Sequence, residues 1–217
     1  MGSKGPPMKF HSNVLTAVQK RALRRLGPFT SSENFYLGGG TAVAIQLGHR
    51  RSVDFDWFTP EPLSDPLGLA AALAQERIPF ATGQVERGTL YGSAYRVQLS
   101  FFEYAYPLLK PTVTWKEYDC RLASLADLAC MKLAAIAQRG SKKDFIDVYA
   151  LGQETFTLAE MLAFYRRKYD VPDIGHILYG LSYFDEAEKQ REPRMIWRVD
   201  WKEIRKTIQS WVKACAR

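Results

Sequence analysis

Residues 36–58 read YLGGGTAVAIQLGHRRSVDFDWF, and that order limits what the chain can fold into. Phe35-Tyr36-Leu37 is a short apolar strand ended by Gly38-Gly39-Gly40. Glycine permits positive φ and lets the backbone approach another group closely. A plain turn needs one or two glycines, so a third points to a bound group. Thr41 is placed to cap a helix that runs to Leu47 and closes at Gly48. Backbone N–H groups at such a helix start form a ready phosphate site. After a return through His49-Arg50-Arg51-Ser52, residues 53–58 alternate apolar and acidic. That pattern predicts a strand with Val53, Phe55 and Trp57 on one face. Asp54 and Asp56 then share the other face. Two carboxylates side by side repel, and a divalent cation with a preference for oxygen ligands relieves the repulsion.

The 217 residues suffice for one large domain with a helical appendage. Apolar residues at 47% and charged residues at 24% fit a globular core and argue against a disordered chain. A net charge of +7 suits a polyanionic partner such as RNA or nucleotide phosphates. Cys120, Cys130 and Cys215 lack metal-like spacing, and so sparse a set fits a reducing cytoplasm. No apolar run approaches a membrane span, so no membrane partner is expected. The opening MGSKGPP reads as part of a flexible leader over residues 1–9.

Apolar spacing predicts a basic amphipathic helix over 13–26, broken by Gly27-Pro28. A helix is expected over 64–76, capped by Ser64 or Asp65 with Pro66 in its first turn. Strands are expected from Val85 and over Tyr95–Phe102. Ser124 and Asp127 open a helix to Arg139. Lys132 falls inside its apolar stripe, where a lysine either snorkels out or points at an anion. Ser141 opens the next helix. Asp144 there could be only the acid of a capping box, whereas Asp147 lies on a partly apolar face with no such role. From Leu158 the chain reads as helices over 158–169, 174–189 and 201–214, with Phe164, Tyr165, Tyr169, Tyr179, Tyr183 and Phe184 expected in a core.

Gly39-Gly40-Thr41 followed by Asp54-Phe55-Asp56 resembles the glycine turn and DxD signature of polymerase β-like nucleotidyltransferases. Residues 36–58 together with DLACMKLAAIAQRGSKKDFIDVYAL, residues 127–151, resemble more closely the AbiEii/AbiGii toxin family of nucleotidyltransferase-like proteins. LSYFDEAEKQREPRM near the end is similar to a late segment of that family, so the resemblance runs from about residue 10 onward. It implies an α+β fold: a nucleotidyltransferase-like mixed sheet flanked by helices over 10–115, and a C-terminal helical bundle over 116–217 completing the site. It implies that Asp54 and Asp56 hold Mg²⁺ or Mn²⁺ on the phosphates of a nucleoside triphosphate. Gly39, Gly40, Thr41, Arg51 and Ser52 fall on the nucleotide-binding side, and Lys132 contacts the triphosphate. Asp144 or Asp147 would orient Lys132 or act as a base. The implied acceptor is RNA, with tRNA 3′ ends foremost, and the implied protein partner is a cognate antitoxin. A nucleotide-binding or interaction module with impaired chemistry, or transfer to a protein or small molecule, are the alternatives.

One position departs from the family pattern. Where a third carboxylate belongs on a later strand, RVQLSFFEY places Ser100. Alternation puts Glu103 on the face of Leu99 and Phe101, away from Ser100. Either a bulge turns Glu103 inward, or Asp144 or Asp147 substitutes, or the chemistry is impaired.

Overall fold

The computed structural model of the protein describes residues 9–215, so the expected leader lies outside the described residues except for its last position. The fold is α+β, built on one mixed seven-stranded sheet. In chain order the strands are β1 (Tyr36–Leu37), β2 (Phe55–Thr59), β3 (Ala81–Glu86), β4 (Thr89–Ala94), β5 (Val97–Glu103), β6 (Val113–Trp115) and β7 (Cys120–Leu122). Across the sheet they run β3-β4-β5-β2-β1-β7-β6. β2 lies parallel to β5 and antiparallel to β1, so the two-residue β1 joins the halves. β7 pairs with β1, so the sheet continues past residue 115 and the expected domain boundary there falls between two of its strands.

Helix α1 (Ala17–Ser32) opens with a capping box in which Thr16 accepts from the Gln19 N–H and the Gln19 side chain accepts from the Thr16 N–H. It does not break at Gly27-Pro28. Pro28 lies inside it, because Leu26 and Phe29 are buried on either side and hold the last turn against the body of the protein. The Thr30 hydroxyl donates to the carbonyls of Leu26 and Gly27, tightening that turn. Helix α2 (Gly39–Leu47) follows β1, and α3 (Pro66–Gln75) is capped by Asp65 with Pro66 at its first position, as expected.

β2 begins at Phe55, later than the alternation suggests, and Val53 is 66% exposed. Side chains claim the backbone that would have extended the strand. Gln19 donates to the Ser52 carbonyl at 2.9 Å, and the Thr41 hydroxyl donates to the Asp54 carbonyl. Within β2 and β5 the alternation holds. Phe55, Trp57, Leu99 and Phe101 are buried on one face, while Asp56, Phe58, Ser100 and Phe102 are half-buried on the other.

The helical half comprises α4 (Leu125–Arg139), α5 (Lys142–Glu154), α6 (Leu158–Tyr169), α7 (Gly175–Ser182), the single turn α8 (Asp185–Glu188) and α9 (Trp201–Cys215). The helix expected over 174–189 is interrupted at Tyr183-Phe184. The break turns Phe184 inward, where its ring lies 4.8 Å from Phe145 and 6.0 Å from Trp201. Tyr179 and Tyr183, expected in the core, are exposed and stack on each other instead. Among the described residues no helix is long and apolar enough to cross a membrane.

Candidate active site

The site forms where α2, β2, β5, α4 and α5 converge. Asp56 projects from β2 directly beside Ser100 of β5, with the two residues in register. Asp54 precedes the strand by one residue. Gly39 starts α2 at φ +59°, and a Cβ there would meet the Asp56 carboxylate at 2.3 Å. A Cβ on Gly40 would meet the Arg50 guanidinium at 2.3 Å. Two of the three glycines therefore make room for the protein's own charged groups. Thr41 is not the cap of α2, since Gly38 holds that position. Thr41 is buried, and its hydroxyl joins the Ser52 hydroxyl at 2.8 Å and the Asp54 carbonyl. It fixes the segment that carries Asp54 relative to the helix start.

Behind the aspartates lies a buried ion network. Asp147 is fully buried and accepts hydrogen bonds from His49 Nε2 at 2.7 Å, Arg50 Nε at 2.6 Å and Arg50 Nη2 at 2.8 Å, and it forms an ion pair with Lys132 Nζ at 2.6 Å. Asp144 is also buried. It accepts from Lys132 Nζ at 2.8 Å and from Arg139 Nε and Nη2 at 2.8 and 3.1 Å. Burial alone would raise both carboxyls, but the facing cations win. Arg50, Lys132 and the His49 hydrogen bond hold Asp147 well below the usual carboxylate range, and Lys132 with Arg139 lowers Asp144. Burial depresses the Lys132 ammonium, and Asp147 and Asp144 more than offset it. Burial also depresses His49, which is therefore neutral and donates through Nε2, leaving Nδ1 without a partner.

Both carboxylates are committed to positive partners, Asp147 to His49, Arg50 and Lys132 and Asp144 to Lys132 and Arg139. Neither caps α5. Both pair with the Lys132 ammonium, the group that the orienting role expected for one of them would act on. Lys132 donates to Asp144, pairs with Asp147, and lines the cleft with Asp56 and Gly39.

Asp56 is in the opposite condition. Burial raises its carboxyl, Lys132 opposes the shift, and Asp54 adds to it. Glu103 does not relieve the pair. β2 and β5 keep register through Thr59 and Glu103 with no bulge, and Glu103 accepts from the Leu63 N–H at 3.0 Å on the other face. Among the described residues no three His, Cys, Asp or Glu side chains converge on a common point. Two hard carboxylates, one of them buried at the expense of its charge, fit Mg²⁺, which binds through one or two carboxylates and completes its shell with waters and phosphate oxygens.

Arg51, expected on the nucleotide side, is exposed and its N–H donates to the Arg194 carbonyl at 2.8 Å. The inward residue of the pair is Arg50. Sequence reading missed Arg50 and His49, although the run HRR opposite a lone buried aspartate was the available signal. A strap over residues 194–197 sets this choice. Ile196 and Trp197 donate to the His49 carbonyl at 2.9 and 3.0 Å, and Arg50 bridges to Met195.

A small mixed sheet with two aspartates on and beside a central strand, facing a glycine-started helix and a lysine from the helical half, defines a nucleotidyltransferase-like protein. The sequence model described as nucleotidyl transferase AbiEii toxin, type IV toxin–antitoxin system, matches residues 21–213, and the chain belongs to that family. It is 37% identical over 179 residues to an uncharacterised protein of Aquifex aeolicus, covering 81% of this chain and 86% of that one. The fold is similar to that of MenT4, a nucleotidyltransferase toxin of Mycobacterium tuberculosis, with a TM-score of 0.58 at 14% identity over 90% of this chain and 86% of that one. It is also similar to JHP933 of Helicobacter pylori, with a TM-score of 0.55 at 14% identity over 95% of this chain and 93% of that one.

Proposed function

We propose that the protein transfers a nucleoside monophosphate from a nucleoside triphosphate to an RNA hydroxyl, with a tRNA 3′ end as the leading acceptor, as the toxin of a toxin–antitoxin pair. The observation that carries this reading is the Asp54–Asp56 pair set against Gly39 and a doubly anchored Lys132. Asp54 and Asp56 would hold Mg²⁺ or Mn²⁺, which would neutralise the triphosphate and favour in-line attack at the α-phosphate. The N–H groups at the start of α2 would receive phosphate oxygens. Asp144 and Asp147 hold the Lys132 ammonium at the cleft, so little side-chain entropy would be lost when it meets a phosphate. Arg139, bonded to Asp144 and about half exposed, adds a second cation at the mouth. The net charge of +7 suits an RNA acceptor.

Incubation with an α-phosphate-labelled nucleotide, Mg²⁺ or Mn²⁺ and total tRNA should label RNA, and Asp54→Ala should abolish the signal. Absence of label with every nucleotide would sink the reading in this form. A second reading, a nucleotide-binding module with impaired transfer, is favoured by Ser100 in the place beside Asp56 where a third carboxylate would stand. Mg²⁺-dependent nucleotide binding without transfer to RNA, protein or a small molecule would select it.

A further inference from the structure

The basic face of α1 has no part in the site described so far. Val18, Arg21 and Arg25 are spaced i, i+3 and i+7 and share one helix face. Across from them stands Tyr95-Arg96, the two-residue turn between β4 and β5. These five side chains line a groove of ≈ 460 Å³, and among the described residues no carboxylate joins them. Arg21 and Arg96 are exposed. Among the described residues the arginines paired with carboxylates are Arg24, Arg50, Arg139 and Arg205, none of which lines the groove. Arg25 donates to the Glu76 carbonyl at 3.2 Å, which anchors it without neutralising it. Three guanidiniums gathered without a counter-charge repel one another. The turn is costly too. Tyr95 and Arg96 have φ of +52° and +63°, the pattern of a type I′ turn, which favours Asn-Gly because ordinary side chains resist positive φ. The chain bears that strain and places an aromatic ring and an arginine at the tip.

We propose that this groove binds the backbone phosphates of an RNA and so positions the acceptor for transfer. The choice of RNA as the polyanion rests on the transfer reading above, whereas the gathering of unpaired arginines stands without it. A guanidinium presents a planar fork of donors that matches a phosphate, and RNA supplies phosphates at regular intervals. The Tyr95 ring at the same tip offers a face on which an unstacked base can rest. The place suits the role. Gln19 of α1 donates to the Ser52 carbonyl at 2.9 Å, so α1 touches the segment that leads into Asp54. That segment carries the exposed Arg51 and Val53. Arg96 stands three residues before Leu99, the partner of Phe55, or about 10 Å along β5 at strand spacing. An RNA held there lies at the same end of β2 and β5 as the aspartates.

Fluorescence anisotropy of labelled total tRNA, in Mg²⁺ without nucleotide and over a series of salt concentrations, tests this. The wild-type protein should bind, with an affinity that falls steeply as salt rises. Arg21→Gln and Arg96→Gln should each weaken binding and lower the slope of log affinity against log salt by about one, while calorimetric affinity for a Mg²⁺-nucleoside triphosphate stays at the wild-type value. Lys202→Gln with Lys206→Gln, a loss of two charges on α9, should change neither. Arg96→Gly relieves the turn and should raise the melting temperature while still weakening tRNA binding. Effects of the α9 pair equal to those of the two arginine changes combined, or loss of nucleotide affinity in the arginine variants, would overturn the groove. A lower melting temperature for Arg96→Gly would also overturn it, since the arginine would then serve the fold. Poly-L-glutamate bound as tightly as tRNA, with the same losses in the variants, would overturn RNA in favour of an acidic protein. Nucleotide binding without tRNA binding in the wild type would overturn the groove and leave transfer to another acceptor standing. Groove-dependent tRNA binding without nucleotide binding would support the groove and overturn the reading of the carboxylates.

Discussion

Asp56 is held in a place that disfavours its own charge. Its carboxyl is raised by burial and by Asp54 against the pull of Lys132. A carboxyl whose folded pKa exceeds its unfolded one subtracts stability at neutral pH and returns it as pH falls towards the folded value. Asp56→Asn should therefore raise thermal stability at pH 7 in the absence of a divalent cation, by about 1 kcal/mol, while removing transfer. Scanning calorimetry checks this, and a melting temperature below that of the wild type would contradict it. At this scale the sequence was informative about chemistry and less so about partners. Asp54 and Asp56 stood out by their spacing and Lys132 and Asp147 as charges on apolar faces, whereas Asp144 read locally as a capping-box acid and entered through the family resemblance; strand alternation put Glu103 on the other face. Arg50 was not distinguishable from Arg51. Which of two adjacent arginines turns inward depends on a backbone bridge to Met195, some 145 residues away.

Among the elements, α1 shows why a local breaker can fail to break. An interior proline removes one backbone hydrogen bond, here the one to the Arg24 carbonyl, and its ring crowds the preceding turn. Burial of Leu26 and Phe29 outweighs that cost. Pro28→Ala should lengthen the hydrogen-bonded run and stabilise the protein by about 1 kcal/mol, somewhat less than a helix-interior proline costs because proline also restrains the unfolded chain. Urea unfolding measures it, and a lower midpoint would show that the proline conformation is required by its surroundings. The long helices were legible from their caps and stripes. The short strands β6 and β7 were not, because three residues carry too little periodicity to register. The helix break at Tyr183-Phe184 was invisible for a related reason. Its cause is the attraction of Phe184 to Phe145 and Trp201, which local sequence does not contain.

For the molecule as a whole, the buried network predicts how stability follows pH. Asp144 and Asp147 titrate below 3.8 in the fold, so the stability they contribute is present above that value and lost as pH falls through the folded ones. His49 titrates below 6.5 in the fold, so the unfolded chain gains its proton first and stability begins to fall as pH drops below that value. Asp56 acts in the reverse sense over the acid range and blunts the decline. Urea titrations should show a shallow loss below about pH 6.5 and a steeper one below about pH 4, with His49→Gln removing the shallow phase alone. A flat profile down to pH 4 would contradict the assignment of a neutral buried imidazole. The strap over residues 194–197 has a consequence in time as well as in space. A chain emerging from the ribosome makes its two aspartates, its lysine and both network carboxylates long before it makes the backbone that grips His49 and Arg51. Until residues 194–197 emerge, the arginine behind the site has no bridge at Met195 to hold it inward, so this part of the network is completed last.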